Sequence, residues 1–170
     1  VPVKDEERYI GRFLQALADQ DYPGPIPVVL VLNNCTDRSE GVVAKARHRF
    51  INRLDIHIDV TEFAPSVAHV GSARRRAGQL AVEHMGGCVG NTVVFSDADT
   101  RPPTGWLSEK LRYCESVDTL VGGQLLLDVI DPVDPLIVEQ WERWHRYWCR
   151  VRYLEDLIDP RPWDLPPRHG

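Results

Sequence analysis

Two aspartates one residue apart, Asp97 and Asp99, follow the apolar run Val93-Val94-Phe95 within Ser96-Asp97-Ala98-Asp99-Thr100. Side chains of an extended segment alternate faces, so positions i and i+2 point the same way and both carboxylates can converge at a strand end. Anionic groups that close repel unless a cation or a shared proton lies between them. A hard divalent ion such as Mg²⁺ or Mn²⁺, held by carboxylate oxygen and bridging to phosphate, suits that chemistry. A solvated turn or helix cap is the other reading of the same residues.

Two more segments could bring polar groups to the same edge. Ile26 to Leu32 is a nearly continuous apolar run that ends in Asn33-Asn34-Cys35-Thr36-Asp37. Val1-Pro2-Val3 reads as the end of a strand that leads into Lys4. Three consecutive arginines, Arg74, Arg75 and Arg76, stand near the start of a helical pattern. There they oppose the helix dipole, which a bound anion such as phosphate would relieve, although a solvated face is the commoner meaning of a short charge run.

Those residues need elements to hold them. Ile10, Phe13, Leu14 and Leu17 have helical spacing and predict an amphipathic helix over 5–20, with Asp5, Glu6 and Glu7 in its first turn, where the dipole favours anions. Asp21-Tyr22-Pro23-Gly24-Pro25 is a turn by composition, and the run from Ile26 has the pattern of a strand buried on both faces of a parallel sheet. In the next helix Asp37 and Glu40 fit a capping box with Asp37 as N-cap, a reading favoured over a ligand role. Asp55 to Val60 alternates as a strand; Ser72 to Met85 reads as a helix on which Arg74 and Arg76 flank the buried stripe and Arg75 points away. A strand over 91–96, a helix over 104–116 and an apolar segment over 119–129, broken by Gly122-Gly123, come next. Ile137, Trp141, Trp144, Trp148, Val151, Leu154 and Ile158 mark a long helix over 134–158, whose stripe reads as core or as a homodimer or membrane-surface contact. Strands alternating with helices predict an α/β layered fold with a mainly parallel sheet, and ligands of such sheets sit at the carboxyl ends of the strands.

Composition narrows the classes. A chain of 170 residues suits one domain, and 43% hydrophobic with 26% charged residues is ordinary for a globular protein. A net charge of −5 argues against broad capture of nucleic acid. Cys35, Cys88, Cys114 and Cys149 form no C-x-x-C pair, so neither a zinc site nor a disulfide framework is indicated, and a cytoplasmic location fits, peripheral to the membrane if the Trp stripe meets one. No apolar run approaches a membrane span and no signal peptide is visible. The strand-like start at Val1 and the Pro-rich stretch from Pro160 to Gly170 read as truncation at both ends.

The ordered motifs resemble family-2-like glycosyltransferases of the GT-A fold. They are Pro2-Val3-Lys4-Asp5-Glu6-Glu7, Gln20-Asp21-Tyr22-Pro23, Asn33-Asn34-Cys35-Thr36-Asp37, Arg74-Arg75-Arg76-Ala77-Gly78, and Asp97-Ala98-Asp99 followed by Pro103 and Trp106-Leu107. The resemblance covers about residues 1–125. It implies a Rossmann-like GT-A sandwich, with a nucleotide-sugar-binding core over 1–133 and, over 134–170, the Trp-rich helix and Pro-rich tail that begin an acceptor-side half. It implies a UDP- or GDP-linked sugar donor and Mn²⁺ or Mg²⁺. By the same resemblance Pro2 and Val3 line the base, Glu6 the nucleoside pocket, and Asn34 stands where an acidic base-binding residue is usual. Arg75 or Arg76 holds the pocket and pyrophosphate, Asp97 and Ala98 meet the ribose or sugar, and Asp99 binds the metal with Asp97. Lys4 has the reach for a phosphate, or is a surface lysine.

Asn33-Asn34 replaces the family's acidic pair and Cys35 its glycine. The catalytic base of an inverting member is not found; Asp128, Asp131 and Asp134 lie in a Pro-containing loop. Two other readings stay open. One is a GT-A module that binds sugar nucleotide or a protein partner without turnover. The other is a haloacid-dehalogenase-type phosphatase, whose Asp-x-Asp-x-Thr/Val motif would need Thr or Val where Arg101 stands.

Overall fold

A computed structural model describes residues 1–87, 90–114, 121–123, 125–127 and 132–160. The chain divides into two compact units, Val1–Thr119 and Leu120–Gly170.

The first unit is built on three parallel strands in the order β1 (Pro2–Val3), β2 (Ile26–Asn33), β3 (Leu54–Thr61). The register sets Pro2 against Val31, and runs from Ile26 against Leu54 to Asn33 against Thr61. Helices α1 (Ile10–Ala18) and α2 (Ser39–Arg49) are the crossovers, and α3 (Val70–His84) and α4 (Trp106–Tyr113) come after them. The predicted periods explain the layers. Even-numbered residues of β2 (Val28, Leu30, Leu32) join Leu54 and Ile56 of β3 in a core with Ile10, Phe13, Leu14 and Leu17 of α1 and Val43 and Ala46 of α2. Odd-numbered Val29 and Val31 face the other way, onto Ala73 and Ala77 of α3. Phe13 is 1% exposed, so truncating it to Ala would cost about 3–5 kcal/mol. Pro27 is tolerated because β2 donates to β3 from its even residues, as Ile26 N does to Arg53 O and Asn34 N to Thr61 O.

The structure corrects several expectations. Helix α1 begins at Ile10, so Asp5, Glu6 and Glu7 precede it and none lies in its first turn. Asp37 does not form the capping box with Glu40; its carboxylate takes Ser39 N at 2.9 Å, Ser39 Oγ at 2.6 Å and Glu7 N at 2.9 Å. Residues 91–96 are not a strand. The apolar pattern of 92–96 finds no ladder because β1 pairs through Pro2 and Val3 only. Val93 and Phe95 line a cavity of about 390 Å³ together with Val28 and Val29. Gly78 still brings α3 close to this segment: a Cβ there would lie 3.2 Å from Phe95 Cζ.

A buried amide anchors the chain just beyond the two aspartates. Gln20, 3% exposed, donates to Ala16 O at 3.0 Å and Pro103 O at 2.8 Å and accepts from Leu107 N at 2.9 Å. It thereby ties the start of α4 to the end of α1.

In the second unit α5 (Pro135–Ile158) matches its predicted span, with Asp134 as N-cap accepting from Leu136 N at 2.9 Å. The expected stripe is not buried: Ile137, Trp144, Leu154 and Ile158 are exposed, while Val138, Trp141, His145 and Trp148 are half-buried. No described helix is long and apolar enough to cross a membrane. Asp128 and Asp131 lie outside the described residues.

Candidate donor site at the strand ends

Because β1 and β2 are parallel and in register, their carboxyl ends leave the sheet side by side. Each turns through a left-handed residue, Asp5 at φ 53° and Asn34 at φ 49°. Asp and Asn are the side chains that tolerate that backbone best after glycine. The two loops are then laced together. Asp5 Oδ1 accepts from Thr36 N at 2.6 Å and Asp37 N at 3.2 Å, and Lys4 Nζ sits 2.8 Å from Asp5 Oδ2. Lys4, with the Thr36 amide next, holds the Asp5 carboxyl down at about 2. Glu6 N donates to the buried Ser39 hydroxyl at 2.8 Å, and Arg38 N and Nε donate to Glu7 at 3.0 and 3.2 Å. The Arg38 side chain and then its amide hold Glu7 below the usual carboxylate range. Burial pushes Asp37 up, but the bonds from Ser39 and Glu7 N outweigh it and hold the carboxyl low.

Asp97-Ala98-Asp99 comes to this edge as an alternating segment should. Ala98 is 3% exposed and packs in the core, while Asp97 and Asp99 face solvent. Arg74 Nη2 is 2.5 Å from Asp97 Oδ1. Glu6 reports the convergence: its carboxyl is pushed up first by burial, then by the charges of Asp99, Asp37, Asp5 and Asp97. These acids and the β1 and β2 ends therefore share one region.

The site residues do not all present themselves alike. Pro2 and Val3 are buried, and Val3, 1% exposed, packs in the core, which leaves their backbone to face a ligand. Asn34 spends its carboxamide on Phe63, donating to its carbonyl and accepting from its N–H, both at 3.0 Å. Lys4 Nζ is engaged by Asp5 and by the Asn34 carbonyl. Arg75 is exposed, and Arg76 pairs with Asp59 of β3 at 3.0 and 3.2 Å. The resemblance gave the pyrophosphate role to Arg75 or Arg76, whereas it is Arg74, also placed beside the buried stripe by the sequence, that reaches Asp97. Asn33, which the sequence placed at the strand end without a role of its own, is 4% exposed, and its Oδ1 has no hydrogen-bond partner among the described residues. Ser39 carried no signal, since Glu6, whose amide it accepts, lies 33 residues away in sequence.

The donor set fits a hard cation. Asp99 has no hydrogen bond or ion pair among the described residues, and its charge, after burial, is among those that push the Glu6 carboxyl up.

Similarity to known proteins agrees with this geometry. The model of the family described as "Glycosyl transferase family 2" matches residues 1–156. The chain belongs to glycosyl transferase family 2. Its parallel sheet with flanking helices is a GT-A, Rossmann-like domain. A search of curated proteins finds no match. Among solved structures, a crystal structure of S. aureus TarS is similar at 24% identity and a TM-score of 0.47, over 66% of this chain and 18% of that one. The chain thus spans under a fifth of that protein's length.

Proposed function

We infer that this chain binds a nucleotide-diphospho-sugar at the β1 and β2 ends and contributes the donor half of a metal-dependent glycosyl transfer to an acceptor hydroxyl. The observation that carries the reading is the gathering of Asp97, Asp99 and Glu6 beside the two loops, with Arg74 as the cation on the Asp-x-Asp segment. Asp99, with Asp97, would hold Mn²⁺ or Mg²⁺, which when bound supplies positive charge against the leaving diphosphate. Arg74 orients Asp97 and adds fixed positive charge beside the same group. The backbone of Pro2 and Val3 lines the base. Asn34 shapes the pocket through Phe63 rather than through contact with the base. Arg75 and Arg76 stand behind Arg74 as pyrophosphate ligands, since Arg76 is held by Asp59. Lys4 meets phosphate only by leaving Asp5.

Calorimetry with UDP and GDP, with and without Mn²⁺, tests this reading. Metal-dependent binding that is lost in Asp99→Asn is expected. No binding of either nucleotide by the wild type, or hydrolysis of p-nitrophenyl phosphate that depends on Asp97, would sink it.

A further inference from the structure

Strand β3 carries polar side chains that the donor site does not use. Asp55, His57 and Asp59 alternate with the core residues Leu54 and Ile56 and so share the opposite face of the strand. Asp59 is answered by Arg76 of α3. Further back, the His57 ring lies against His84 in the last turn of α3, centroids 3.6 Å apart and planes tilted by 53°. Asp55 Oδ2 is 3.1 Å from His57 Nε2, yet that buried nitrogen makes no hydrogen bond among the described residues, so the oxygen is close but misaligned. One donor atom from each of Asp55, His57 and His84 lies within 4.8 Å of the other two. A cavity of about 330 Å³, lined in part by His57, Glu83 and His84, leaves room for water.

The geometry points to a second metal site here, two imidazoles and one carboxylate, for a first-row transition ion of the Zn²⁺ class. Imidazole nitrogen selects such ions over Mg²⁺, and two histidines, one carboxylate and water complete a four-coordinate shell. Bonds of about 2.0–2.1 Å would draw the donors to about 3.3 Å apart, a shift that the exposed His84 side chain can make. The site is independent of the donor site. His57 stands four residues before Thr61, about 13 Å from the strand end along β3. A bound ion would fasten the last turn of α3 to β3, on the helix whose Arg74 holds Asp97.

Co²⁺ titrated into the protein free of any histidine tag tests the site through its visible absorption. A band that saturates at one equivalent, is displaced by Zn²⁺, and weakens at least tenfold in His84→Gln and in His57→Gln is expected. Asp99→Asn should leave the band unchanged, which separates this ion from any at the donor site. Absence of a saturable band, or binding that survives His84→Gln, would overturn the proposal. Since His84 is exposed, that variant decides the matter even if His57→Gln fails to fold. Zn²⁺ should also raise the Tm of the wild type and not of His84→Gln.

Discussion

Arg74 Nη2 lies 2.5 Å from Asp97 Oδ1, so the third helix reaches the first carboxylate of the Asp-x-Asp segment directly. Both side chains are about half exposed, at 42% and 54%. Exposed pairs of that kind add about 0–1 kcal/mol to stability. What the pair does is place a charge.

Arg74→Ala should therefore lower UDP or GDP affinity in Mn²⁺ about tenfold while changing unfolding free energy by less than about 1 kcal/mol. Arg75→Ala should change neither. Calorimetry and urea unfolding on both variants check this; loss of affinity in Arg75→Ala alone would return the pyrophosphate role to Arg75.

Gln20→Ala should destabilise the chain by about 1–3 kcal/mol, because it leaves the buried Leu107 N–H and the part-buried Pro103 carbonyl without their partner. Gln20→Glu keeps the acceptor for Leu107 N but sets an oxygen against Pro103 O, so it should be destabilised as well. Urea melts read both, and an unchanged midpoint in either would show that the amide is not what fastens α4.

Asn34 combines a left-handed backbone with two bonds to Phe63. Asn34→Gly keeps the backbone freedom and loses the bonds, costing about 1–2 kcal/mol. Asn34→Ala adds about 1 kcal/mol more for its Cβ in that conformation. The order wild type, Gly, Ala in thermal melts is the expected outcome, and Ala equal to wild type would contradict it.

Acid should act on the loop after β1 with two signs. Asp5 is held at about 2 in the folded chain against an ordinary 3.8. Its contribution is fully present above the ordinary value and is lost as pH falls from there towards 2. Asp5→Asn should abolish that part of the acid profile. Glu6 is raised instead, so its contribution is present below the ordinary 4.5 and is lost as pH rises through the folded value. Glu6→Gln should accordingly be the more stable protein at pH 7 in EDTA, as Tm against pH would show.

Periodicity carried most of the fold. The spacing of Ile10, Phe13, Leu14 and Leu17 marked α1, the alternation from Asp55 marked β3, and the apolar run from Ile26 marked a strand between two layers. Residues 91–96 read as a strand because pattern reports burial, whereas a strand also needs a partner. Of the candidate site, the sequence made legible the placement in which chemistry and local spacing coincide: Asp97 and Asp99 face solvent while Ala98 between them is buried. The site was not legible where a side chain of the right type is already committed elsewhere. Asn34 is bound to Phe63 and Arg76 to Asp59, partners 29 and 17 residues away that nothing in the local sequence discloses.

The buried hydroxyl of Ser39 accepts from Glu6 N and donates to Asp37, so the β1 exit, the β2 exit and the first turn of α2 share a single joint. A small molecule settling there meets a floor that has already lost its freedom, and little further ordering is demanded of the chain. Ser39→Ala would loosen that floor, and the entropy of association should turn less favourable even where the same contacts are made.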